Sequence, residues 1–266
     1  MSFRGASADA AANLTDQLGQ VAGADVDAVG RDLYALAQSL RAEGAVRRFV
    51  TDQSAPLPAR QGLVTEVFGP KVGPEARDLL VAAVGHRWTR TRDLADALEH
   101  LSVVALVRSA DDVDRLVDEL FAVRGTVNNH PDLRNALSDP ARSATDKESL
   151  LDDLLGGKAL PATVALTKQA LGGSYRTVVA ALEDYEKTAA AVQGERVATV
   201  TVARALSEAD EQRLGGALSR QYGRPVHLNV VVDPAVIGGL RVEIGDDVID
   251  GTVLSRLDDA RRKIAG

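Results

Sequence analysis

The sequence predicts a multidomain chain: two tandem all-α helical bundles, copies of one duplicated unit, followed by a small α+β domain. Three observations predict it. Up to about Gln193 apolar residues recur at steps of three and four, the spacing of one helix face. The same apolar series returns, without a gap, at a constant offset of 87 residues. Beyond Gln193 the spacing changes to the alternation of strands. The expected boundaries are 1–93, 94–193 and 194–266. A hydrophobic fraction of 45% with only 3% aromatic residues, and much alanine, fits thin helices packed through small side chains.

In the first copy Val26, Val29, Leu33, Leu36 and Leu40 share a helix face. Leu63, Val64, Val67 and Phe68 repeat the pattern. Pro74 then opens a helix through Leu79, Leu80 and Val84, at a first helical position where its missing N–H costs nothing. A further apolar face passes through Leu94, Leu101 and Val104. Eighty-seven residues on, Leu33 meets Leu120, Tyr34 meets Phe121, Val64 meets Leu151, Phe68 meets Leu155, Pro74 meets Pro161 and Trp88 meets Tyr175. This period exceeds the roughly 20–50 residues of solenoid repeats, so it reads as a duplicated domain rather than an array. The helix near residues 94–107 is expected to end the first copy and begin the second, joining both into a continuous rod. In the second copy Thr145 and Glu148 have capping-box spacing.

In the last domain residues 197–202 form a β-branched strand. Ser207, with Asp210 three residues on, caps a helix carrying Leu214, Leu218 and Tyr222, which Gly223 ends. Val226, Leu228, Val230 and Val232 make a second strand. After Asp233, Pro234, Gly238 and Gly239, a third strand alternates Leu240, Val242 and Ile244 with Arg241 and Glu243. Gly245, Asp246 and Asp247 supply turn chemistry before a strand at 248–253, making a hairpin, and Leu257, Ala260 and Ile264 close on a short helix.

Several function classes lose support. The absence of cysteine excludes disulfides and thiol nucleophiles and suits a reducing cytoplasm. A formal charge of -7 offers no broad positive field for nucleic acid or anionic lipid. No apolar run approaches the roughly 18 residues needed to span a bilayer, so direct membrane insertion is not expected. His86, His100, His130 and His227 lie apart without metal-ligand spacing, and no metal or cofactor site is predicted. Gly238 and Gly239 precede a strand rather than a helix, which removes a phosphate-loop context and points to a bend or bulge. Paired acids such as Asp152 with Asp153 are adjacent on helices, where neighbours diverge. The run Arg87, Trp88, Thr89, Arg90, Thr91, Arg92 interleaves arginine with an aromatic, a pattern suited to stacking on nucleic acid. Trp88 aligns with Tyr175 in a barely basic neighbourhood, so a structural aromatic is the expected reading.

The C-terminal pattern Asp233, Pro234, Gly238, Gly239, Ile249, Asp250, Gly251, Thr252, Arg256, Leu257 resembles the family of ATP synthase delta subunits and oligomycin-sensitivity-conferring proteins. The run from His130 through Pro131, Asp132, Leu133 and Arg134 to Pro140, with Lys147, resembles that family's helical domain. The resemblance covers about residue 95 to the end; the first helical copy is additional to it. It implies a non-catalytic stator subunit, without cofactor, linking the catalytic alpha/beta head of an F-type ATP synthase to its peripheral stalk. The implied place is the cytoplasmic face of the cell membrane, held there by the complex. The implied partners are N-terminal helices of alpha subunits, gripped by the helical part, and the b subunit, bound by the last domain.

In that family an amphipathic helix lies in a groove. The expected anchors are Leu14, Leu18, Leu80 and Val84 in the first copy, and Leu98, Leu101, Val104 and Leu171 in the second. Periodicity alone leaves open whether these instead fill the bundle cores. The alternative function is a helical adaptor with an α+β RNA-binding module, since β-α-β-β orders occur in such modules; the acidic balance counts against it. An enzyme with a site between domains has no residue constellation behind it.

Overall fold

The computed structural model describes residues 3–21, 26–245 and 247–252. Two compact units emerge, Met1–Ala189 and Ala190–Gly266. The first holds helices α1 (Ala6–Gly19), α2 (Val26–Ala42), α3 (Gly44–Thr51), α4 (Leu57–Phe68), α5 (Pro74–Gly85), α6 (Asp93–Arg108), α7 (Val113–Asn129), α8 (Pro131–Ser138), α9 (Ala144–Leu155) and α10 (Pro161–Gly172). Helix α11 (Val178–Val192) ends it and runs past the unit boundary.

The bounds of α2, α3, α4 and α5 recur in α7, α8, α9 and α10, each shifted by the 87 residues of the sequence offset. A polar contact recurs with them. The Asp32 carboxylate of α2 accepts the Gly73 N–H at 2.7 Å, just ahead of α5, and the Glu119 carboxylate of α7 accepts the Leu160 N–H at 2.8 Å, just ahead of α10. Each acid satisfies an orphan donor at the positive end of a helix. Glu119 also accepts the Thr163 hydroxyl at 2.6 Å.

Helix α6 is apolar almost all round, with Leu94, Leu98, Leu101, Val104 and Leu106 buried, as a helix enclosed by its neighbours must be. It packs on α1, α2 and α5 from one side of the chain and on α7 and α10 from the other, so residues on both sides of position 93 share one interior. Gly30 lets α2 lie close to it: a Cβ there would sit 3.0 Å from the Leu106 Cγ. Two charged pairs are enclosed in the unit. Glu99, fully buried, is ion-paired with Arg41 and accepts the Ser174 N–H at 3.1 Å and the Tyr185 hydroxyl at 3.2 Å. Glu186, 87 residues later and also buried, is held by both forks of Arg124 at 2.7 and 3.2 Å.

The caps are not all where spacing predicts. Ser143, not Thr145, caps α9: its extended backbone aims the hydroxyl at the Asp146 N–H, 3.1 Å away. Thr145 is already inside the helix. Trp88 is a structural aromatic, buried, with its indole N–H donating to the Ala83 carbonyl at 2.9 Å.

The second unit holds β1 (Arg196–Val202), α12 (Glu208–Tyr222), β2 (Val226–Val232), β3 (Leu240–Ile244) and β4 (Asp247–Asp250). The sheet order is β2-β1-β3-β4, with β1 and β2 parallel and the other pairs antiparallel. Alternate residues Ala198, Val200 and Val202 join Val242, Ile244 and Leu218 of α12 in the core. Ser207 caps α12 by accepting the Asp210 N–H, and Gly223, at φ 68°, ends it. The chain is thus mostly helical with a small four-stranded sheet. The expected closing helix at Leu257, Ala260 and Ile264, and the end of the strand at Val253, lie outside the described residues.

Candidate functional site

The residues expected to grip a partner helix are interior. Leu14, Leu80, Val84, Leu98 and Leu101 are fully buried, and Leu18 and Val104 are 3% and 2% exposed. Leu171, near the end of α10, is half-buried and keeps some accessible surface. As the structure stands, the first seven fill bundle cores rather than line an open groove. The physical reason is that a three-and-four apolar stripe records which helix face is shielded, and a neighbouring helix of the same chain shields it as well as a partner does.

Accessible apolar surface lies elsewhere in the helical unit. A shallow depression of about 330 Å³ between α7, α8 and α9 is lined by Val123, Val127, Leu133, Leu151, Leu154 and Leu155, and Leu154 is 41% exposed. A second hollow, of about 580 Å³, is bounded by α2, α6 and α10, with Tyr34, Leu106, Pro161 and Val164 in its wall and Arg31 and Lys168 at its edge. Tyr34 belongs to the structure here: its hydroxyl donates to the Gln169 carbonyl at 3.0 Å and accepts from Gln38, which also donates to the Gly172 carbonyl. Burial raises its pKa to about 12, so it is a neutral donor at any ordinary pH.

In the second unit the C-terminal pattern converges on one corner. Gly239 has φ 82°, and a Cβ there would lie 2.4 Å from the Gly251 carbonyl oxygen, so two glycines of the pattern meet where only bare backbone fits. The Gly251 N–H donates to the Leu240 carbonyl at 2.9 Å. Asp250 closes its own turn by accepting the Thr252 N–H and hydroxyl at 2.9 and 2.7 Å, which holds its carboxyl below the usual carboxylate range. Asp233, followed by Pro234, closes a similar turn by accepting the Ala235 N–H at 2.9 Å. Gly238, at φ 134°, bends the chain into β3. These residues shape the backbone. The accessible apolar side chains are beside them: Ile237 is 75% exposed, Val248 55%, Val232 49% and Ile249 37%. Arg256 and Leu257 lie outside the described residues.

The four histidines fall on separate elements: His86 after α5, His100 in α6 against the ring of Phe3, His130 ahead of α8 and His227 in β2. Sequence reasoning missed the buried acids. Glu99 and Glu186 stand at the repeat offset from each other, and that spacing was the available signal; the offset also relates Asp32 to Glu119.

Comparison with known proteins agrees along the whole chain. The family model described as ATP synthase delta (OSCP) subunit matches residues 101–264. A protein of Nocardioides sp. named "ATP synthase subunit delta" is 56% identical, covering 100% of this chain and 98% of its own length. Proteins of the same name from Kineococcus radiotolerans and Streptomyces avermitilis are 40% and 38% identical over 98% and 100% of this chain, and 96% and 100% of their own lengths.

Proposed function

The chain belongs to the ATP synthase delta (OSCP) subunit family, and from that premise we propose that it is the stator connector of an F-type ATP synthase, tying the catalytic head to the peripheral stalk during proton-driven ATP synthesis. The observation that carries this is the 56% identity to an ATP synthase subunit delta over the full length of both chains. Torque on the central rotor is matched by an equal and opposite torque on the head, which would otherwise turn. A connector resisting it needs strength rather than chemistry. Two units with separate cores suit such a link, because each can hold one partner.

In this reading the helical unit holds N-terminal helices of alpha subunits and the α+β unit holds the b subunit. The exposed Ile237, Val248 and Ile249 supply apolar surface for the stalk contact. Among the described residues no helix is long and apolar enough to cross a membrane, which is compatible with a peripheral position on the cytoplasmic face, held by partners. The chain itself contributes no catalytic step. Co-purification from detergent-solubilised membranes tests the proposal: the tagged chain is expected to bring down alpha, beta and b subunits in fixed proportion. Recovery of RNA or of unrelated proteins in their place would end it.

A further inference from the structure

We propose that the helical unit carries an oxyanion pocket, walled by Arg41, Arg47, Arg90 and Arg92, that takes a phosphate group, either as inorganic phosphate or on a nucleotide. The proposed stator link leaves the basic run at 87–92 without an assigned role. Folding sorts it by side: Trp88 turns inward at 8% exposure, while Arg90 and Arg92 stay exposed at the start of α6. There they meet Arg41 from the end of α2 and Arg47 from α3 around a cavity of about 520 Å³.

The charges in this wall are not balanced. Arg41 pairs with Asp96 at 3.0 Å and with Glu99, yet its second terminal nitrogen, Nη1, is buried without a hydrogen-bond partner. Arg47 spends Nη1 on the Leu40 and Arg41 carbonyls at 2.8 and 2.9 Å, neutral acceptors that leave its charge uncompensated, and its Nε is buried without a partner. Among the described residues Arg47, Arg90 and Arg92 form no ion pair. Of the acids in the wall, Asp96 pairs with Arg41, and Asp93 accepts from the Ser7 hydroxyl at 2.8 Å and the Arg90 N–H at 3.2 Å. Buried donors without acceptors are costly, and guanidinium forks match tetrahedral oxyanions. Even with Asp93, Asp96 and Glu99 counted, the wall keeps a surplus of positive charge, and donors arriving from α2, α3 and the start of α6 suit the several oxygens of a phosphate better than the two of a carboxylate. A concave pocket on a chain of net charge -7 favours an isolated phosphate over a nucleic-acid strand, which needs a basic stripe.

The test is titration calorimetry on the full chain at low ionic strength, with inorganic phosphate and, separately, with magnesium-free ATP. Saturable binding of at least one is expected. Arg92→Gln and Arg47→Gln should each weaken it by about tenfold or more, the usual consequence of losing one charge-assisted contact. Arg224→Gln in the second unit should not. Because Arg47 also holds two carbonyls, circular dichroism accompanies its variant; Arg92 is exposed and keeps the test valid if Arg47→Gln unfolds. Binding of ATP that phosphate displaces assigns the site to a nucleotide phosphate, and binding of phosphate alone assigns it to the free ion. No saturable binding of either, or binding indifferent to Arg92→Gln, overturns the proposal. So does an oligonucleotide that binds more tightly than both with a steep salt dependence.

Discussion

Glu99 and Glu186 show how much one side chain can decide inside a bundle of thin helices. Each is enclosed with one arginine, and removing the partner of a buried charge costs more than the pair contributes. We expect Arg41→Met to destabilise the chain by about 3–5 kcal/mol in urea denaturation, and Arg41→Met with Glu99→Gln to recover part of that loss. Glu186 adds a pH dependence. Burial raises its pKa, and Arg124 offsets only part of the rise. An acid whose folded value lies above its unfolded value binds a proton more readily when folded. Its contribution therefore becomes more favourable as pH falls through the folded value, and is complete below the unfolded value near 4.3. Glu186→Gln lacks this gain, so its stability relative to the parent should fall between pH 7 and about pH 4. The leucines divide by burial: Leu98→Asp should abolish the helical circular dichroism, because a carboxylate at a fully buried site has no partner. Leu171→Asp, at a half-buried site, should keep the fold and weaken binding of the catalytic head in calorimetry.

At the scale of elements, α6 carries the helical unit. It stands 87 residues before the start of its own sequence echo in α11 and after that of α1, and it is buried by neighbours on both sides. We propose that residues 26–92 and 113–179 share one fold. An experimental structure in which they fail to superimpose, helix for helix, would refute it. The matched contacts of Asp32 and Glu119 give a quicker test. Although burial pushes Glu119 up, the Thr163 hydroxyl, the Leu160 N–H and Arg115 together hold it below the usual carboxylate range. Asp32→Ala should cost about 1 kcal/mol, the ordinary worth of a helix-capping contact, and Glu119→Ala more, because it also loses the Thr163 hydroxyl and Arg115, both measured by denaturant midpoint. No loss at Asp32 beside a loss at Glu119 would mean that the α2-to-α5 and α7-to-α10 connections are not equivalent.

For the whole molecule, the separate cores of the two units predict separable partners. A chain ending near Val192 should remain folded and bind the head, yet leave ATP hydrolysis uncoupled from proton pumping on rebuilt membranes. Fully coupled pumping there would refute the assignment of the α+β unit to the stalk. A stator contact under load needs a long lifetime, and a dissociation constant near 1 nM, about -12 kcal/mol, is expected for the intact connection. The sequence by itself determined the helices α2, α4, α5, α6 and α12, the strands β1 to β3, the 87-residue echo and the change of period near Gln193, because each is written in local spacing and turn chemistry. It also carried the glycine and aspartate pattern, whose meaning is backbone shape: Gly239 and Gly251 touch, and no side chain could stand between them. Tertiary structure alone decided that Leu14, Leu80 and Leu98 are core, which helices before and after α6 enclose it, and that Arg41 and Arg47 reach the loop of Arg90 and Arg92. A helix face records that it is covered but not by what, and the identity of the cover depends on contacts between residues far apart in the chain.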